Sequence, residues 1–569
     1  MKSNFLLRGR VVVFCLIIFS VALLLKLFLV QVARGNIYSD KADHQYATPS
    51  SNIYERGTIY FATKDGQLVS AATQASGFKI AINPEKITNG ENIYQALAKI
   101  VAIDHDEFIK DATKADDPYE EVAHRLTKAE ANAVSALKLP ALNVFQEKWR
   151  FYPGDNLASH LLGFVGYNNN VLAGRYGLER QYDIVLARSA DNPYINFFAE
   201  VFSNIHKTLF ENQNNKEGDI VTTIEPQAQN FLEQKLNEVK EKYQADSVGG
   251  IIMNPKDGSI YALSALPDFN PNNFSEESNI SVFANPIVEH VLEFGSVVKP
   301  LVMAAALNQG VVTPATTYDD KGEVTIEKHQ IFNFDKKGRG PNTTMQDVLN
   351  QSLNTGMVFV EEQLGKVNLR NYLLAYGIKD KTGIDLPNET SGLVSNILTS
   401  PREIEYANAA FGQGIALTPI ELIRAEAALA NDGNLVVPHV VKEIKYDDGT
   451  SKVMTYPTTP TKISKATAQE ITQMLVTVMD KGLKAGLPNF SIAVKTGTAQ
   501  VADNTTGGYY TDRHTHSFMG YFPAYNPKFI VFLYAVNPKG VEYSATTWTQ
   551  PFLDITKFLL NYYNVPPDR

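Results

Sequence analysis

Residues 292–307 read Leu-Glu-Phe-Gly-Ser-Val-Val-Lys-Pro-Leu-Val-Met-Ala-Ala-Ala-Leu, and their pattern decides the fold. From Lys299 to Leu307 apolar residues occur on nearly every side of a helical wheel, which predicts a buried helix rather than a surface one. Pro300 is tolerable only where a helix has barely begun. Ser296, just after Gly295, therefore sits on the first turn, where free backbone N–H groups and the helix dipole favour developing negative charge. Lys299 lies three residues on and falls on the same face, beside the hydroxyl. A serine hydroxyl is a weak nucleophile unless a base adjoins it, and a buried amine is such a base.

A lone Ser-x-x-Lys is a weak signal. Ser76-Gly77-Phe78-Lys79 and Ser135-Ala136-Leu137-Lys138 match it equally well. Ser76 belongs to a strand-like run continuing through Ile82, which would send Ser and Lys to opposite faces. Ser135 stands in the charged, Ala-rich helical stretch 126–139, expected to be scaffold. Two further short motifs follow in order. Ser352-Leu353-Asn354 begins a helix after the amphipathic segment 345–351, and has a decoy in Ser50-Ser51-Asn52. Lys495-Thr496-Gly497 follows the short strand 490–494, and a strand edge carrying a glycine suits an extended peptide. Its decoy, Lys381-Thr382-Gly383, runs into Ile-Asp-Leu-Pro387 and reads as a loop.

Around this centre the elements read as α+β. A strand at 219–224 precedes a helix over 227–243, with Pro226 at a helix-starting position. Residues 249–255 and 259–265 form two strands about the turn Lys256-Asp257-Gly258. Strands at 518–522 and 529–536 and a helix at 552–562 close the chain. Strands at both ends of one region enclosing helices predict an antiparallel sheet with helices packed on its faces. The polar stretch 212–218 marks a boundary.

The N-terminal residues 11–32 are apolar, roughly 22 of them against roughly 20 needed to span a bilayer. Lys2, Arg8 and Arg10 precede the run, so the positive-inside rule keeps the N-terminus cytoplasmic. Lys26 lies toward the outer end, where it snorkels. Gln31-Val32-Ala33-Arg34 makes a poor cleavage site, so an uncleaved anchor is expected. The expected organisation is a cytoplasmic tail (1–10), anchor (11–32), stalk (33–48), α+β pedestal (49–217) and the domain carrying Ser296 (218–569). The 569 residues are 44% hydrophobic and 20% charged with net charge −9. That balance disfavours a nucleic-acid partner. A single cysteine, Cys15, excludes an intrachain disulfide and a thiolate metal cluster. His514-Thr515-His516 lacks a third ligand and reads as polar surface, so no metal and no cofactor is expected.

With its three motifs in this order and spacing, the chain resembles the penicillin-binding proteins. The phrases Gly249-Gly-Ile-Ile-Met-Asn-Pro-Lys-Asp-Gly258, Phe411-Gly-Gln-Gly-Ile415 with Thr418-Pro419, and Lys495-Thr-Gly-Thr-Ala-Gln500 strengthen the match. Arg56-Gly57, Tyr152-Pro153 and Gly177-Leu-Glu179 are similar to the pedestal, or dimerisation domain, of the class B, monofunctional members. The family usually has Pro where Phe294 stands, and 186–193 departs from the Gly-rich end of its pedestal helix.

The resemblance implies a peptidoglycan D,D-transpeptidase. Ser296 would attack a stem peptide, with Lys299 as base, Ser352 as proton relay and Asn354 as orienting group. Lys495, Thr496, Gly497 and Thr498 would bind substrate, and the backbone N–H groups of Ser296 and Thr498 would form the oxyanion hole. It further implies covalent inhibition by β-lactams, a membrane glycosyltransferase and other division proteins as partners, and an extracytoplasmic catalytic domain. No glycosyltransferase domain is expected before Asp219. Residues 292–300 and the short pedestal look more like division-specific than elongation-specific members. An elongation enzyme of the lateral wall, a penicillin-sensing or scaffolding protein, and a β-lactamase of the same fold remain the alternatives.

Overall fold

Asp257 and Gly258 turn the chain sharply. Gly258 takes φ +86°, and the Asp257 carboxylate accepts the Ser259 amide at 2.8 Å. The two strands so joined, β1 (Ser247–Met253) and β2 (Ile260–Leu266), form one end of an antiparallel sheet. The other strands come from far along the chain: β3 (Ala493–Ala502), β4 (Tyr509–Phe522) and β5 (Phe529–Val536). Their order is β3-β4-β5-β1-β2, so the strand bearing Lys495-Thr496-Gly497 is an edge. This computed structural model describes residues 55–114, 117–168, 171–188, 217–503 and 508–569, with Phe19. The expected anchor (Phe19 apart), the stalk, Cys15 and the Ser50 decoy lie outside the described residues. Among the described residues no helix is long and apolar enough to cross a membrane.

Helices cover both faces of the sheet. Helix α1 (Pro226–Tyr243) starts with proline in its first turn, and the Glu225 side chain caps the Ala228 amide. It packs with α6 (Ser544–Tyr562) against the face that carries Gly250 and Gly520, whose missing side chains make room for Leu232 and Phe552. The expected helix at 552–562 is longer than its pattern suggests: it starts at Ser544 and runs through Pro551. The opposite face carries Lys495 and Tyr521 and meets α4 (Pro419–Leu429) and α5 (Lys465–Thr477), on which α2 (Lys299–Asn308) packs in turn. Thr418 and Glu421 form a reciprocal capping box at the start of α4. As the apolar wheel predicts, residues 299–307 are all buried.

The chain divides into two compact units. One contains the five-stranded sheet, and Arg56–Thr73 and Arg150–Ala187 belong to it as well. There Ile59–Ala62 pairs in parallel with Gly218–Thr222, and Val441–Tyr446 adds on antiparallel to the latter. The described part of the other unit is mainly Gln74–Trp149. Its helices are capped locally by Asn89, Asp104 and Thr127, and a core of Ile80, Ile82, Leu97, Phe108 and Leu126 holds them to strands.

Glu179 is the hub of the segment around Arg56. It is fully buried and accepts from Arg56 Nε and Arg150 Nε, each at 2.6 Å, and from the Tyr152 hydroxyl at 3.2 Å. Burial alone would push its pKa up, but the guanidinium groups of Arg150 and Arg56 hold the carboxyl below the ordinary range. Glu179→Ala strands Arg150 beside the carbonyl of Gly57 and leaves Arg56 with Asp183. Thermal unfolding should show a loss of about 3–5 kcal/mol, and an unchanged midpoint would contradict this account.

Candidate active site

Ser296 lies in a 3-10 turn, Gly295–Val298, that runs directly into α2. Three glycines let backbone touch backbone around it. Gly295 takes φ +63°, and a Cβ there would come closer than 3.0 Å to the carbonyl oxygen of Thr498. A Cβ on Gly412 would strike the Gly295 carbonyl, and one on Gly497 would strike the Phe294 carbonyl and Ser517 Oγ, all below 3.0 Å. Two hydrogen bonds lock the arrangement: Gly295 N donates to Gly412 O at 3.2 Å, and Ser517 Oγ donates to Phe294 O at 2.7 Å. Phe294, where the family usually has proline, is buried and meets the Phe532 ring edge-on at 5.0 Å between centroids.

Lys299 is fully buried and reaches across to the Ser352 loop. Its Nζ donates to Ser352 O at 2.7 Å, to Asn354 Oδ1 at 2.8 Å and, more weakly, to Ser352 Oγ at 3.4 Å. Among the described residues no hydrogen bond joins this amine to the Ser296 hydroxyl; the two are linked by the turn they share. Lys495, from β3, donates to the same Ser352 Oγ at 2.9 Å and to Thr496 O at 2.7 Å. Ser352 holds a left-handed backbone, φ +54°, between the helix Met345–Asn350 and α3 (Asn354–Leu364). Such a conformation is uncommon for a non-glycine residue and concentrates at functional sites.

Burial pushes Lys495 down to about 7, with Glu426 opposing the change. Burial also holds Lys299 well below the ordinary lysine range, and the positive charge of Lys495 pushes the same way. The site thus contains an amine inclined to be neutral beside one inclined to share a proton near neutrality.

A buttress that sequence reading missed stands behind Asn354. Asn354 Nδ2 donates to Phe332 O at 2.9 Å, and Thr355 Oγ1 donates to Asp320 Oδ1 at 2.8 Å. Asp320 is buried and also accepts from Asn333 Nδ2 and from the amides of Gly322 and Arg339. Nothing local in the sequence marks Asp320, because its partners are brought in by the fold.

The decoys have other occupations. Ser76 lies in the strand Leu68–Ile82, Ser135 donates to Ala131 O within its own helix, and Thr382 is tied to Glu389 in a loop. The expectation of a surface histidine pair needs correction. His516 is fully buried on β4, with Nδ1 bonded to Thr547 Oγ1 at 2.9 Å, and its burial pushes it down to about 4. Alternation along a strand in a sheet covered on both faces put it inside. Among the described residues no group of three side chains is placed to hold a metal ion.

The profile of the penicillin binding protein transpeptidase domain matches residues 248–556, more than half of the chain. The chain belongs to this family. The profile of the penicillin-binding protein dimerisation domain matches residues 53–244. Stage V sporulation protein D of Bacillus subtilis is 29% identical, over 96% of this chain and 84% of that protein. The peptidoglycan D,D-transpeptidase FtsI of Buchnera aphidicola is 26% identical, over 100% of this chain and 97% of its own length. Among solved structures, penicillin binding protein 3 of Mycobacterium tuberculosis aligns with a TM-score of 0.66 at 25% identity, over 74% of this chain and 92% of that one.

Gly497→Ala must push β3 away from the Ser296 turn. A displacement of about 1 Å should slow acylation by a penicillin about 100-fold while the circular dichroism spectrum stays that of the parent. Undiminished labelling would mean that the close approach does not matter.

Proposed function

We propose that this penicillin-binding protein is a peptidoglycan D,D-transpeptidase with Ser296 as nucleophile. One observation carries the reading: two buried lysines converge on the Ser352 hydroxyl next to the helix start that holds Ser296. Ser296 Oγ attacks the carbonyl carbon of the penultimate D-alanine of a stem peptide, and its proton passes to the free amine of Lys299. The Ser296 and Thr498 backbone N–H groups receive the developing oxyanion. The C–N bond breaks, and the Ser352 hydroxyl hands a proton to the departing D-alanine amine, replaced from Lys299. Lys495, Thr496 and Thr498 hold the substrate carboxylate, and Gly497 lets the peptide lie along the β3 edge. The amine of a second stem peptide then attacks the ester, forms the cross-link and restores Ser296. A β-lactam follows the first half of this path, and its acyl group stays on the serine.

We further place the enzyme in septal wall synthesis, as a single-pass membrane protein with its catalytic domain outside. The similarity of residues 292–300 to division-specific members and the end-to-end match with an FtsI support that role. It would depend on a membrane glycosyltransferase for polymerised strands. A fluorescent fusion on the N-terminus should concentrate at midcell, and a lateral-wall pattern would assign it to elongation instead.

Ser296→Ala should abolish labelling by a fluorescent penicillin, while Ser76→Ala and Ser135→Ala label normally. Retained labelling of the Ser296 variant would refute the nucleophile assignment, and rapid drug turnover by the parent would favour a β-lactamase.

The rate of acylation should follow a bell against pH. It rises as Lys299 loses its proton and falls as Lys495, placed at about 7, loses the proton that attracts the substrate carboxylate. Lys299→Arg should be inactive at every pH, since a guanidinium stays protonated. Activity in that variant would point to another base.

A further inference from the structure

Helix α4 carries a carboxylic acid for which the reaction above has no use. Glu426 is fully buried, and neither of its side-chain oxygens has a hydrogen-bond partner. Its helix neighbours Leu422, Ile423, Ala425, Ala427 and Leu429 are buried and apolar. An isolated carboxylate in such surroundings is strongly unfavourable, so a retained one calls for a compensating charge or a function. Helix α4 packs on the sheet face that carries Lys495 and Tyr521, which lie on neighbouring strands with their side chains on one side.

We propose that Glu426 is a positioning residue for acyl transfer: its buried carboxylate acts through Lys495, holding that lysine as the ammonium that receives the substrate carboxylate and leaving Lys299 as the free amine. The inference rests on the transpeptidase reading above. Three observations lead to it. The buried set comprises two amines and one carboxyl, Lys299, Lys495 and Glu426, and it is electrically neutral when Glu426 is ionised and one lysine alone is protonated. The proton belongs on Lys495, because Glu426 acts on that lysine, whereas Lys299 is fully buried and feels only the charge of the second cation. The other titratable groups that face Glu426 are Tyr376 and Tyr521, and their hydroxyls are already engaged, with Leu301 O and with Thr472 Oγ1. Among the described residues, Lys495 is the one cation acting on Glu426.

Against burial, which disfavours both charges, the charges of Glu426 and Lys495 favour each other. Burial drives Glu426 well above the ordinary carboxyl range, and the charge of Lys495 draws it back. Burial pushes Lys495 down to about 7, and Glu426 opposes that. Removing the acid therefore lets Lys495 lose its proton at lower pH. The effect falls on the alkaline side of the reaction profile, because below it Lys495 keeps its proton with or without help.

The test is the pH dependence of acylation by a fluorescent penicillin, measured on the full chain in detergent. The parent is compared with Glu426→Gln, Glu426→Leu and Glu426→Asp. In the Gln and Leu variants the alkaline limb should move to lower pH by about one unit, a roughly ten-fold loss of rate above the limb with less than about two-fold change below it. Leucine removes two unsatisfied polar atoms from an apolar site, so it keeps the measurement available if the glutamine variant folds poorly. Glu426→Asp retains the charge and should keep the parental limb. A purely structural role would scale the whole profile or lower the melting temperature without moving a limb, and unshifted limbs in Gln and Leu would overturn the proposal. If the parent itself fails to acylate at Ser296, the transpeptidase reading falls first and this inference goes with it.

Discussion

Two buried amines that share one hydroxyl each disfavour the other's charge. Lys299 and Lys495 both donate to Ser352 Oγ, and both are buried. Lost hydration and charge repulsion together favour loss of a proton from one of them. That single constraint creates the base a serine nucleophile needs, and it keeps a cation for the substrate carboxylate. The position of Lys299 at the start of α2, the left-handed turn at Ser352 and the edge placement of β3 all serve to bring those three side chains together.

The geometry is precise because backbone rather than side chain sets it. Gly295, Gly412 and Gly497 come from three distant parts of the chain and meet without intervening carbon atoms. The Ser517 hydroxyl and the Phe294 carbonyl tie the turn to the sheet. Behind the loop, the carboxylate of Asp320 gathers Asn333, Thr355 and two amides, and Asn354 Nδ2 donates to the carbonyl of Phe332, next to Asn333. A substitution in this buttress would reach the chemistry through Asn354 and Ser352.

Much of this was legible in the chain. The apolar run after Lys299, the proline at 300 and the glycine at 295 marked Ser296 against its two decoys, because buried-helix periodicity and helix-start chemistry are local signals. The turn at Asp257-Gly258 and the strand carrying Lys495 were readable for the same reason. The rest depends on contacts between residues far apart in sequence. Nothing near Ser352 announces φ +54°, nothing near Asp320 announces its partners, and Glu426 reads as one more acid on an Ala-rich helix. His516 was misread because a histidine in a polar stretch resembles surface, whereas the sheet is covered on both faces. The compact units group Arg56–Thr73 and Arg150–Ala187 with the five-stranded sheet, a grouping set by contacts between distant residues. Within that unit Ile59–Ala62 pairs with Gly218–Thr222 in a second sheet, and Arg56 binds Glu179.

Side-chain nitrogen NMR reads the difference in protonation between the two neighbouring lysines directly. The protein would be labelled with 15N at the lysine ζ position and titrated through neutrality, with Lys299→Met and Lys495→Met variants assigning the two signals. At neutral pH the Lys299 signal should have the chemical shift of a free amine while Lys495 is at least partly an ammonium. Two fully protonated lysines at that pH would contradict that assignment.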